Sequence, residues 1–333
     1  MKLRVGVVGL GSAWKSRYGP ALRALSDRFE VRAVCSPVAH RAEQVARELR
    51  ASPVDGFRAM SRREDIDAIL VLSARWYGAL PILAACDNGK AVYCAAAIDL
   101  EVEQARKIKR RVEESGIAFM AEFPCRHAPA TTRLKELIAT HLGSPRLIFC
   151  HQRRGAEASG SKSTRSHVHE LIEAVDWCRY VVGGEPTSVQ GTFHKTEPDG
   201  VGEDYRMMSL DFSDAESPGT GVIAQISCGE YIPAQWQEAI SFRPPAAMQV
   251  ACENGTAFID LPSSLIWFDH AGRHMESLDS ERPVGELLLC DFHRAVTSLV
   301  RNTASLEDAY RALSIVIAAR ESNLEGRRMP IAY

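Results

Sequence analysis

The chain predicts an α/β protein of two domains: an N-terminal domain with a parallel sheet covered by helices on both faces, then an α+β domain built on a large, mostly antiparallel open sheet. Three observations lead there. A length of 333 residues suits about two domains. Through the first 122 residues, short apolar runs alternate with amphipathic helical patterns, which is the signature of parallel β–α units. Beyond that point the rhythm changes to short strands separated by Gly, Pro and Asp turns, as in antiparallel sheets. The expected domains are therefore 1–122 and 123–333, with the C-terminal helices free to pack back on the first.

Each element follows from its local pattern. "KLRVGVVGL" reads as a buried strand and "PALRALSDR" as a helix. "FEVRAVCS", "IDAILVLS", "AVYCA" and "IAFMAEF" are further strands of the first domain. "AHRAEQVARELR", "ALPILAACDNG" and "LEVEQARKIKRRVEESG" are the helices between them, the last ended by Gly116. In the second domain "PATTRLKELIATHLG" and "HVHELIEAVDWCRYVVGG" are helical and "SPRLIFCHQRR" is a strand. "TSVQGTFHK", "RMMSLDFS", "GVIAQISCGEY", "QEAISFR", "AAMQVACE", "GTAFIDL" and "SLIWFD" are expected strands. Their apolar–polar alternation leaves one sheet face for helices and an apolar remainder on the other. "CDFHRAVTSLVRN" and "SLEDAYRALSIVIAARES" close the chain as helices.

Composition excludes several classes. The formal net charge is -2 and no long basic run occurs, so nucleic acid is not an expected partner. The cluster Lys107–Arg111 lies on an amphipathic helix and reads as its solvated face. Nine cysteines, an odd number without a C-x-x-C, argue against disulfide frameworks and zinc knuckles and for a reducing, cytoplasmic setting. No apolar run approaches the roughly 18 residues a membrane span needs, and the N-terminus lacks a basic region followed by an apolar one.

"GVVGLGSAW" carries the first chemistry. Gly9 and Gly11 fit the first two glycines of G-x-G-x-x-G after a first strand. The first permits a tight turn; the second lets backbone N–H groups approach a pyrophosphate, with Ser12 and Ala13 following. The third position holds Trp14, whose bulk opposes close helix–strand packing. The second strand ends at Ser36 where an acid would hold the ribose 2′-OH of NAD. A small hydroxyl with Arg41 nearby suits a 2′-phosphate, so the expected cofactor is NADP or NAD, with NADP preferred.

Together with "GKAVYCAAAIDL", "FPCRHAP", "EAVDWCRYVVGGEP" and the closing "SLEDAYRALSIVIAARES", this order of motifs resembles the Gfo/Idh/MocA oxidoreductases. The resemblance implies a Rossmann domain, NAD(P)-linked chemistry on sugars or cyclitols, and homodimers or homotetramers formed through the second-domain sheet. It also locates departures. The family's Glu-Lys-Pro falls on Ala95, Ala96 and Ala97, so the family lysine is missing at Ala96. The family's Thr-Pro-Asn turn falls on Ser73, Ala74 and Arg75. Its Asp-x-x-x-His pair falls, exchanged, on His169 and Glu173, and Asp176 matches the following acid. On a helix these three are spaced i, i+4, i+7 and share one face. A carboxylate beside an imidazole fixes its tautomer and raises its basicity. His169, Glu173 and Asp176 are thus the candidate acid–base set, and no metal is expected. Ala95, Ala96, Ser73 and Arg75 line the expected cofactor site, and Arg126, Arg153 and Lys195 are candidate donors to a carbohydrate-like substrate. The expected function is an oxidoreductase on a sugar, polyol or related hydroxy compound with an atypical acid–base set. The alternatives are a lyase or epimerase without net redox in the same cleft, or a catalytically degraded sugar- or partner-binding protein.

Overall fold

The computed structural model describes residues 1–11, 13–73, 77–95, 102–155, 167–194, 205–214, 216–232, 236–278, 282–298 and 304–332. In chain order the elements are β1 (Leu3–Val8), α1 (Gly19–Ala24), β2 (Phe29–Cys35), α2 (Ala39–Leu49), β3 (Ser52–Pro53), α3 (Phe57–Ser61), β4 (Ala68–Val71), α4 (Leu80–Asp87), β5 (Ala91–Cys94), α5 (Val102–Ser115) and β6 (Phe119–Ala121). There follow α6 (Pro129–Leu137), β7 (Pro145–Gly155), α7 (His167–Val182), β8 (Ser188–His194), β9 (Tyr205–Asp211), β10 (Ile223–Ile232), α8 (Gln237–Ser241), β11 (Met248–Cys252), β12 (Thr256–Asp260), β13 (Ser264–Asp269), β14 (Gly272–Ser277), α9 (Val284–Thr297), α10 (Ala304–Glu325) and β15 (Met329–Pro330). Contacts divide the chain into two compact units, residues 1–124 with 281–311 and residues 125–280 with 312–333.

The first unit holds a six-stranded sheet in the order β3-β2-β1-β4-β5-β6, with every pairing parallel. β4 and β5 are buried at every residue, as continuous apolar runs covered on both faces must be. On one face Leu3, Val5, Val7, Leu70 and Tyr93 pack with Leu22 of α1, Val45 of α2 and Leu288, Leu289 and Phe292 of α9. The segment after the glycine turn differs from a plain helix. A π-type turn, Trp14–Tyr18, precedes α1, and the Gly19 N–H donates to the Trp14 carbonyl five residues back. The wide turn accommodates the indole, which is 5% exposed and lies in the core. A Cβ at Gly19 would stand 3.0 Å from the Trp14 carbonyl oxygen and 3.4 Å from its ring. The steric conflict expected at Trp14 is thus resolved by one extra residue in the turn and by a glycine opposite the ring.

The second unit is built on a nine-stranded sheet, β14-β13-β12-β11-β7-β10-β9-β8-β15. Its pairings are antiparallel except β7 with β10. α7 lies against β7 and β10, and α6 against β12 and β13. The residues alternating toward the helices, among them Ile148, Cys150, Met208, Ile226, Val250 and Ile259, are fully buried or nearly so. One local expectation is corrected, and one strand was not expected. "QEAISFR" contains the short helix α8 rather than a strand, the helix-favouring Gln, Glu and Ala outweighing the later Ile and Phe. The polar edge strand β14 had no apolar alternation to reveal it. All nine cysteines are free thiols.

Candidate functional site

In the first unit the carboxyl ends of the strands bring Gly9, Gly11, Ser36, Ser73 and Ala95 to one edge of the sheet. β1 lies between β2 and β4, the point where the strand order reverses and where open α/β sheets bind ligands. Gly9 follows β1 with φ +83° and donates its N–H to the Cys35 carbonyl at 2.8 Å. A Cβ on Gly9 would stand 2.9 Å from the Ser73 Cβ, and one on Gly11 3.1 Å from the Leu72 carbonyl oxygen. Both positions therefore exclude side chains, which is the cradle a pyrophosphate requires. Ala13 begins the π-type turn and packs on the core. Ser36 is half-buried after β2, its Oγ accepting the Val38 N–H at 3.4 Å, and Arg41 is exposed in the first turn of α2. Ala95 continues β5, donating its N–H to the Val71 carbonyl at 2.9 Å. Ser12, Arg75, Ala96 and Lys195 lie outside the described residues, as does the side chain of Arg153.

The same edge contains a cluster that the sequence reading missed. Glu122, directly after β6, has a side chain only 3% exposed. It accepts hydrogen bonds from Arg17, from the Tyr18 hydroxyl and, at 3.0 Å, from the Tyr93 hydroxyl. Its N–H donates to the Cys94 carbonyl at 2.9 Å, one residue before Ala95. Burial, and next the Glu122 carboxylate, push the Tyr18 and Tyr93 phenols well above their ordinary range. Both stay protonated as donors, and Arg17 balances the charge that burial would otherwise penalise. The only local signal was an acid inside the apolar run "IAFMAEF", since a carboxylate in a buried strand end must find partners elsewhere.

In the second unit, α7 divides its predicted trio. His169 Nε2 stands 3.2 Å from Glu173 Oε1, with both side chains about a quarter exposed (23% and 24%). Asp176, 1% exposed, belongs to a different network. Arg126 grips it with two hydrogen bonds, Nε to Oδ2 at 2.8 Å and Nη2 to Oδ1. Arg179 approaches the same carboxylate at 3.5 Å and holds Glu185 at 2.5 and 2.7 Å. Buried charges at such a site must be paired. The buried Trp177 donates its indole N–H to Thr131 Oγ1 at 3.0 Å and so docks α7 on α6. His169 and Glu173 remain placed to exchange a proton, whereas Asp176 and Arg126 are engaged with each other. Among the described residues no group of three or more His, Cys, Asp or Glu side chains is arranged to hold a metal ion, and no helix is long and apolar enough to cross a membrane.

Residues 3–123 match the model of an oxidoreductase family with an NAD-binding Rossmann fold. Inositol 2-dehydrogenase 3 of Saccharopolyspora erythraea is 28% identical over 192 residues, covering 57% of this chain and 56% of that protein. A 2,7-anhydro-N-acetylneuraminate hydratase of Mediterraneibacter gnavus is 23% identical over 221 residues, covering 62% and 59%. The chain thus spans less than two thirds of the length of either relative. The crystal structure of an aldose-aldose oxidoreductase from Caulobacter crescentus complexed with glycerol shares the fold, with a TM-score of 0.85 at 15% identity over 99% of this chain and 100% of that one. Residues 3–123, with their parallel sheet and glycine turn, are thus similar to the NAD-binding Rossmann domain of the Gfo/Idh/MocA oxidoreductases.

Proposed function

We propose that the protein is an NAD(P)-dependent oxidoreductase acting on a sugar, polyol or related hydroxy compound. The observation that carries this is the Gly9–Leu10–Gly11 turn at the strand-order switch, where two side-chain-free positions suit a pyrophosphate. Ser12, Ala13, Ser73, Arg75, Ala95 and Ala96 complete the proposed cofactor lining. Ser36 leaves room for a 2′-phosphate and the exposed Arg41 suits it, which favours NADP. The dinucleotide, when bound, supplies the hydride acceptor or donor. The chain's own part is binding, orientation and proton transfer. Ala96 has no proton to exchange, so His169 is the proposed base on the substrate hydroxyl, and Glu173 holds its ring and steadies its charge. Arg153 and Lys195 are proposed substrate donors. Arg126 is proposed to act through Asp176, fixing the helix that carries His169.

A second reading is favoured by Ala95–Ala97: a reaction without net redox in the same site, as the hydratase relative's name describes for that protein. The two readings separate by experiment. Calorimetric titration with NADPH and NADH tests the cofactor; absence of binding at millimolar concentration removes both. With binding established, a polyol panel assayed with oxidised cofactor reads net reduction, which only the oxidoreductase produces. On a turned-over substrate, His169→Ala lowers kcat by about 10²–10⁴-fold while leaving cofactor affinity unchanged; full activity in that variant removes α7 from the chemistry.

A further inference from the structure

We propose that Tyr77 is the surface against which the adenine ring of the dinucleotide lies. The proposal rests on the nucleotide reading above and adds a side chain to which no motif assigns a role. Tyr77 follows β4, and its carbonyl accepts the Leu80 N–H at 3.2 Å as α4 begins. Its hydroxyl lies 3.7 Å from the Sγ of Cys35, the last residue of β2. The side chain therefore links the carboxyl ends of the two strands that flank β1. Its ring packs edge-on to the buried Phe57 of α3, with centroids 5.2 Å apart and planes at 68°. These two contacts hold the ring against swinging. The phenol is pushed up to about 12, by burial first and then by the Cys35 thiol, so the group is a neutral aromatic at physiological pH.

Placement selects the ligand. Ser36, next to Cys35, is where the ribose of the adenosine half is expected. A purine is joined to its ribose by a single bond, so a ribose at Ser36 leaves its base beside Tyr77. Every other described Phe, Tyr and Trp of the first unit is buried, whereas Tyr77 is half-exposed. At the next residue, Gly78, a Cβ would meet no atom of the described residues within 4 Å. A fixed, half-exposed ring offers a π face, and a base that stacks on it needs no matching hydrogen bonds.

The test is calorimetric titration of wild type, Tyr77→Ala and Tyr77→Phe with NADPH, NADH, ADP-ribose and reduced nicotinamide mononucleotide, which lacks the adenosine; where NADPH binds more tightly, it takes the place of NADH in each comparison. Tyr77→Ala should weaken NADH and ADP-ribose about tenfold and leave the mononucleotide unchanged, while Tyr77→Phe stays within about twofold of wild type. Equal NADH affinity in wild type and Tyr77→Ala overturns the assignment. Tighter binding by Tyr77→Ala does so as well, since the ring would then be a plug in the crevice. Loss of mononucleotide affinity in parallel with NADH indicates general damage to the edge and also overturns it. A wild type that binds no dinucleotide brings down the nucleotide reading itself, a result distinct from the other three. Should Tyr77→Ala fail to fold, Tyr77→Leu fills the contact with Phe57 without a π face and carries the same expectations.

Discussion

At Gly9 the backbone stands at φ +83°, and a methyl group would press on Ser73 from 2.9 Å. Gly9→Ala is expected to cost about 1–3 kcal/mol of stability, from left-handed strain together with the contact. It should also weaken dinucleotide binding; urea unfolding and calorimetry measure the two effects. Tyr18 and Tyr93 give a pH prediction of definite sign. Their folded values lie above the ordinary phenol value, so the stability they contribute is complete below about pH 10 and falls as pH rises past it toward the folded values. Ultraviolet titration of tyrosinate should show both phenols ionising late, together with alkaline unfolding. In Glu122→Gln, with the carboxylate charge gone, they should ionise earlier. Gly9 was legible in the sequence because a G-x-G after a strand states its own backbone requirement. The Glu122 cluster was not, because its tyrosines stand 104 and 29 residues away and no local spacing records such a meeting.

Among the elements, α7 sets two neighbouring acids to different tasks. Glu173 pairs with His169 one turn away on a partly exposed face, where such a pair is worth a few tenths of a kcal/mol. Asp176, three residues further, is almost fully buried between Arg126 and Arg179. Asp176→Ala is therefore expected to destabilise the protein by about 3–5 kcal/mol, since it removes one partner of a buried ion pair. Glu173→Gln should scarcely move the unfolding midpoint, and thermal denaturation of the two variants measures the contrast. The helix itself was plain from its apolar spacing, and the common face of His169, Glu173 and Asp176 from the same count. What spacing could not show was which acid would be buried, because that depends on Arg126, fifty residues earlier. The π-type turn escaped for a related reason: its extra residue answers the volume of one indole, which a periodicity averages away.

For the molecule as a whole, the open face of the nine-stranded sheet has one consequence for assembly. Phe149, Gln249, Phe258, Ile266 and Met275 stand opposite one another in a row across five strands. Met275 is 69% exposed, and Leu147 and Phe268 on the same face are exposed as well. So much apolar surface on an open sheet marks an interaction site. The expected partner is a second copy of the chain, as a homodimer or homotetramer. Light scattering at micromolar concentration should give two or four times the 36.7 kDa chain mass. Phe258→Arg, which sets a charge in the middle of the row, should return the monomer. The alternation that predicts this face was visible in the strands themselves.

One further consequence belongs to the order of synthesis. Leu288, Leu289 and Phe292 of α9 are part of the core that β1, β4 and β5 build near the start of the chain. A growing polypeptide presents those first strands to the cell long before α9 exists, and the whole of 125–280 is made in between. During that interval the early sheet exposes the apolar face that α9 will later cover. Its edges and greasy side chains are then a natural target for chaperones, and a nascent chain released early would aggregate rather than fold.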